Sequence, residues 1–147
     1  MKYEFGTITV QAEICEDQNQ QIKTKSDVLE RYGSLQDEVK ERLYAVFLTR
    51  SNRFIGDKLV SLGSQGATQF DAPDVIRTAS LVNAGAVILV HNHPSGDPTP
   101  SKTDIERTEQ LYNTLENLGI DLLDHVIIAP NNAHSMKQEQ NGPYQPS

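Results

Sequence analysis

"AVILVHNHPSGDPTPSKTD", residues 86–104, decides how the rest of the chain is read. Its first five residues are continuous and apolar, which at that length predicts a strand buried on both faces. His91 and His93 follow, one residue apart. Alternate side chains of an extended segment share a face, so both imidazoles can point the same way while Asn92 points back. Pro94 ends the strand, and SGDPTP (95–100) is a stiff turn whose prolines fix the path of the chain. Ser101 and Asp104 have the S-x-x-D spacing of a capping box in its acidic variant. A helix is therefore predicted to start there, with Asp104 in its first turn.

With His91, His93 and Asp104 as ligands, a zinc ion has three protein donors and an open fourth position, the arrangement of catalytic rather than structural zinc. Such an ion makes water acidic enough to supply hydroxide near neutral pH. A hydrolase also needs a carboxylate to carry the proton. Glu38 and Glu41 both stand just before the apolar run LYAVFLT (43–49), and the spacing leaves both open. Simpler roles exist for several neighbours. Ser101 suffices as an N-cap and Asp104 as an acid favoured by the helix dipole. Asp97 is read as a turn former, His125 and His134 as structural, and Cys15 as a small packing residue.

Upstream, YEFGTITVQAEI (3–14) alternates and predicts a half-buried strand, followed by a polar loop over CEDQNQQIKTK (15–25). SDVLERYG (26–33) predicts a short helix with Ser26 as N-cap and Gly33 as its stop. LQDEVKER (35–42) adds a helical turn or two. LYAVFLT is β-branched and aromatic enough for a buried strand, and RSNR (50–53) turns it into FIGDKLVSL (54–62), a hairpin. GSQGAT (63–68) is a glycine-rich connection. DAPDVIRTASLVNAG (71–85) predicts a helix with Asp71 before it, Pro73 early and Gly85 at its exit. Downstream of the motif, Ile105, Leu111, Leu115 and Leu118 recur near helical spacing until Gly119, and IDLLDHVIIA (120–129) predicts another strand. The tail KQEQNGPYQPS (137–147) has too little apolar content to fold alone and is expected to be mobile.

The totals bound the rest. A chain of 147 residues with 37% hydrophobic content fits one globular domain. Residues 1–25 are expected to form an N-terminal strand and loop extension, 26–136 the domain, and 137–147 the tail. Thirteen Lys and Arg against 20 Asp and Glu give a net charge of −7, which repels phosphate backbones, and no basic patch offsets it. The single cysteine excludes an intramolecular disulfide framework and a CxxC zinc pair, so any metal must rest on His and carboxylate. No apolar run approaches the roughly 20 residues needed to span a bilayer, and MKYEFGTITVQ lacks a signal peptide's apolar region. The expected address is the cytoplasm.

NAGAVILVHNHPSGDPTPSKTDIERT (83–108), with LLDHVIIA (122–129) behind it, closely resembles the RadC-like branch of the JAB/MPN metalloproteases. Their JAMM motif is a Glu followed by HxH and S-x-x-D. The likeness runs from about Ser26 to Met136. It also selects the glutamate: ERLYAVFLTRSNR (41–53) matches the branch's pattern with Glu41 in the Glu position, and Glu38 falls out of register. By position, the resemblance implies His91, His93 and Asp104 as ligands of one zinc ion, Glu41 as general acid/base and Ser101 as the donor to the developing oxyanion. The implied fold is an α/β (α+β) arrangement, an MPN/JAB-like mixed β-sheet flanked by helices with cytidine-deaminase-like layering. The chain departs from the family at Thr49, where an Asp is common, and at Asp74 and Val75, where an Arg-Glu pair opens the helix. Both touch substrate contacts rather than the metal motif.

The implied activity is zinc-dependent hydrolysis of an amide or isopeptide bond in a peptide or protein substrate. The rival readings are a metal-stabilised, non-catalytic binding module associated with DNA processing, and a metal-dependent nuclease. The charge argues against the nuclease and against direct nucleic-acid contact, leaving DNA to be reached through partners. Many longer members carry a helix-hairpin-helix module ahead of this domain, and residues 1–25 are too few to hold one, so the branch's DNA-repair label is expected to transfer poorly. Specificity is expected in GSQGAT and in the segment after Gly96.

Overall fold

Residues 20–62 and 70–146 are described by a computed structural model of the chain. The strand expected at 3–14, Cys15 and the GSQGAT loop lie outside the described residues. Within them run α1 (Lys25–Tyr32), a 3-10 turn (Gly33–Asp37), β1 (Arg42–Leu48), β2 (Phe54–Leu62) and α2 (Ala72–Leu81). There follow β3 (Ala86–Asn92), α3 (Lys102–Asn117), β4 (Asp121–Ala129), β5 (Asn132–Ser135) and a 3-10 turn (Gly142–Tyr144). The strands make one mixed sheet in the order β2-β1-β3-β4-β5. β1 is antiparallel to both β2 and β3, β3 and β4 are parallel, and β5 is antiparallel to β4. A parallel pair needs a long crossover, which α3 supplies.

All seven residues of β3 are buried, as its unbroken apolar run predicts. Their alternation sorts them between two cores. Val87 and Leu89 join Ala45 and Phe47 of β1, Val75 and Ala79 of α2, and Leu111 and Leu115 of α3. Ile88 and Val90 join Val46 and Leu48 of β1, Val126 and Ile128 of β4, and Val28, Tyr32 and Leu35 from the α1 side. Each face of the sheet is thus closed by helix, the layered mixed α+β fold expected of a JAB/MPN domain. Continued two more residues, the same alternation puts His91 on the α3 face and Asn92 on the α1 face.

Local departures from the sequence reading have local causes. α1 is capped at Thr24, two residues before Ser26, because Thr24 and Asp27 form a reciprocal capping box: Asp27 N–H donates to Thr24 Oγ1 and the Asp27 carboxylate accepts from Thr24 N–H. The helical turns expected over 35–42 stop at Asp37, and the chain then extends into β1. α2 ends at Leu81 rather than near Gly85. Its left-handed exit residue is Asn83 (φ 53°), after which Ala84 N–H returns to the Ala79 carbonyl. Gly85 serves another need. A Cβ there would lie 2.7 and 2.9 Å from the backbone N and Cα of Arg50.

Residues 137–146, expected to be mobile, pack onto the domain. Gly142 is buried and Tyr144 donates its hydroxyl to the Leu122 carbonyl at 2.8 Å, with its ring edge-on to Tyr112. Low apolar content there misleads because one aromatic and one buried turn meet a surface that α3 and β4 already provide. β5 was also not foreseen: four residues of mixed polarity give no periodic signal, yet they pair along Val126–Ala129.

Candidate metal centre

The site forms where β3 leaves the sheet. Leu43 of β1 is paired with His91, so the residues just before β1 lie beside the end of β3. Asn92, pointing to the other face, fastens this junction: its Oδ1 accepts from Arg42 N–H at 2.6 Å and its Nδ2 donates to the Lys40 carbonyl at 3.0 Å. Glu41, between those two residues, turns toward the histidines. Its Oε1 lies 2.9 Å from His91 Nε2 and 3.5 Å from His93 Nε2. Glu38, the other glutamate left open by the spacing, instead meets Arg42 at 3.5 Å.

α3 brings the next carboxylate. Ser101 is its N-cap, and the S-x-x-D unit forms the capping box its spacing predicts: Asp104 N–H donates to Ser101 Oγ at 3.0 Å and Asp104 Oδ2 accepts from Ser101 N–H at 2.8 Å. The same Oδ2 is 3.3 Å from His93 Nε2. Burial opposes ionisation of Asp104, but the His93 contact, the nearby His91 and the Ser101 N–H outweigh it and hold the carboxyl well below the usual range. Burial likewise works against a charge on His93. The Asp104 carboxylate, the Asp97 carbonyl and the Glu41 charge prevail and raise its pKa.

The histidines are oriented from behind. His93 Nδ1 is 3.0 Å from the Asp97 carbonyl, which only an N–H can satisfy, so Nε2 is the nitrogen turned to the carboxylates. Asp97 is thus both a turn former, with its side chain accepting from Thr99, and a backbone anchor for His93. His91 Nδ1 lies 3.2 Å from Nε2 of His125, whose own Nδ1 lies 2.8 Å from Thr108 Oγ1. Burial, aided by the neighbouring His91, pushes the His125 pKa down to about 3, so this ring is neutral. His134 stands apart, bonded to Asn141.

The ligand atoms of Glu41, His91 and His93 all lie within 4.8 Å of one another, close enough to hold one metal ion. Two imidazole nitrogens and carboxylate oxygen suit a divalent transition metal of the zinc type. The structure therefore gathers four of the residues singled out by the sequence, with Asp104 touching His93 outside the tightest trio. Ser101 is one residue group further out and exposed. The sequence reading gives His125 a structural role and points Asn92 away from the ions without naming a partner for either, and it does not single out Thr108. A signal existed for His125: a histidine in a buried strand must have hydrogen-bond partners, and its neighbours on one face are close to the motif.

A helix-flanked mixed sheet with two imidazoles at the end of its central strand and a glutamate from just before the adjacent strand defines a metal-binding domain of the JAB type. A profile of the RadC-like JAB domain matches residues 22–141, and the chain belongs to that family. It is similar to a UPF0758 protein of Coprothermobacter proteolyticus, 39% identical over 142 residues that cover 93% of this chain and 60% of the relative. A UPF0758 protein of Methanosarcina mazei is 37% identical over 125 residues, covering 84% and 55%. One from Carboxydothermus hydrogenoformans is 42% identical over 101 residues, covering 69% and 45%. The chain spans about half the length of the curated relatives it matches. Among the described residues, no helix is long and apolar enough to cross a membrane.

Proposed function

We propose that the domain is a zinc-dependent hydrolase that cleaves an amide or isopeptide bond. One observation carries this reading: a single Glu41 oxygen lies 2.9 and 3.5 Å from the Nε2 atoms of His91 and His93, with Asp104 3.3 Å from His93. Carboxylate oxygens and imidazole nitrogens converging at these distances require positive charge among them, from protons or from a cation. His91, His93 and Asp104 would hold the zinc, which when bound supplies Lewis acidity and acidifies the attacking water.

The remaining chemistry falls to the chain's own side chains. Glu41, about a third exposed, accepts a proton from the water as its oxygen bonds to the carbonyl carbon, then returns that proton to the leaving nitrogen as the C–N bond breaks. Ser101 Oγ accepts from Asp104 N–H, which leaves its own O–H to donate toward the oxygen that gains charge.

The test is metal analysis of the purified protein together with turnover of a panel of peptide and isopeptide-linked substrates. The expected result is about one zinc per chain, lost when His91→Ala and His93→Ala are combined. Glu41→Gln is expected to keep the zinc and abolish turnover, which separates a proton carrier from a ligand. Zinc content indifferent to the double histidine variant overturns the reading.

A further inference from the structure

We propose that Thr108 and His125 form a relay that fixes the tautomer of His91, keeping its proton on Nδ1 and its Nε2 lone pair toward Glu41. The direction of each bond follows from the one before it. Thr108 Oγ1 is 2.6 Å from the Asp104 backbone carbonyl, and two oxygens come that close only with a proton between them. The hydroxyl supplies it, because a carbonyl has none. A threonine hydroxyl has one proton, so toward His125 Nδ1, 2.8 Å away, Thr108 can only accept.

His125 must then carry its proton on Nδ1. It is 3% exposed, and its ring nitrogens meet Thr108 and His91, with no carboxylate bonded to either, so a second proton would be a buried unpaired charge. Its Nε2 is therefore a lone pair, 3.2 Å from His91 Nδ1, and accepts from it. His91 Nδ1 is protonated, and in the neutral ring Nε2 is free to bind a cation. Without the relay either nitrogen of His91 can hold the proton, and a proton on Nε2 blocks the site. His93 needs no such relay, since the Asp97 carbonyl sets its ring directly. Thr108 also links the two halves of the centre, because it is anchored on Asp104 of the same helix.

The purpose assigned to the relay rests on the metal-binding reading, but the proton positions do not. The experiment compares wild type, Thr108→Val, which keeps the shape and removes the hydroxyl, and Thr108→Ser, which restores it. Nitrogen–proton correlation spectra of the histidine rings are recorded on chelator-treated protein, and zinc affinity is measured by competition with a chromophoric chelator. In wild type and Thr108→Ser, His125 is expected to carry its proton on Nδ1, and His91 to have one on Nδ1. In Thr108→Val, His125 is expected to lose that preference and zinc affinity to fall about 10–100-fold, with Thr108→Ser near wild type. Wild-type His125 protonated on Nε2 overturns the relay even if Thr108→Val does not fold, and so does wild-type zinc affinity in a folded Thr108→Val. A wild-type protein that binds no zinc instead sinks the metal reading, while the spectra still decide the proton positions.

Discussion

Asn92 grips the backbone on both sides of Glu41, accepting from the Arg42 N–H and donating to the Lys40 carbonyl. The amide is 1% exposed, so its own oxygen and nitrogen depend on these two backbone partners rather than on water. Asn92→Ala is expected to destabilise the domain by about 1–3 kcal/mol for the groups left unpaired, and to lower turnover more than zinc content. Asn92→Asp keeps the acceptor and loses the donor, and it also buries a charge, so it should not rescue stability. Chemical denaturation and metal analysis check both; unchanged stability and turnover in Asn92→Ala would show that the grip is dispensable.

The metal-free protein should respond to pH through His93 and Asp104 with opposite signs. The His93 pKa is raised above its ordinary 6.5, so its contribution is complete below 6.5 and lost as pH rises through the folded value. The Asp104 pKa is lowered below its ordinary 3.8, so its contribution is present above 3.8 and lost as pH falls through the folded value. Thermal melts in chelator should therefore show the His93 contribution declining as pH rises above 6.5. Zinc affinity should rise over the same window, because the imidazoles must shed protons to bind. Chelated melts that climb across it, with His93→Gln doing the same, would contradict the assignment.

Gly85→Ala tests the packing at the opposite end of β3. Gly85 N–H donates to the Leu48 carbonyl and its own carbonyl accepts from Asp121 N–H, so the segment cannot back away from Arg50 without loosening the sheet. A loss of about 1–3 kcal/mol in urea unfolding is expected, with zinc content per folded chain unchanged. Wild-type stability would mean that Arg50 yields freely.

Tyr144→Phe removes the hydroxyl that bonds to the Leu122 carbonyl and leaves the ring against Tyr112. A cost of about 1 kcal/mol is expected, read as a lowered denaturation midpoint. No change would place this last turn outside the cooperative unit.

What the sequence made legible was local. The run at 86–90, the HxH parity, the proline turn and the S-x-x-D cap each encode their own geometry within a few residues, and all four appear in the structure. Choosing between Glu38 and Glu41 needed either the resemblance or coordinates, because three residues of spacing before a strand do not say which side chain meets a histidine 50 positions away. Asn92 was read only as the residue pointing away from the ions; its task depends on the backbone of Lys40 and Arg42, which no spacing within the motif can show. Thr108 looked like one more polar helix position, since its partner His125 belongs to a strand that follows the helix. The α1 cap was misplaced for a smaller reason: Thr24 and Ser26 are both good caps, and only Asp27 three residues after Thr24 breaks the tie.

Because β3 is buried on both faces, its last residues serve two masters at once: His91 looks into the ion site while Asn92 reaches through to the segment that carries Glu41. Strand pairing here is a chemical parameter as well as a structural one. A slip of one residue between β1 and β3 would exchange the two side chains, present an amide to the ion and an imidazole to the Lys40–Arg42 backbone, and disarm the centre with every ligand still in the sequence.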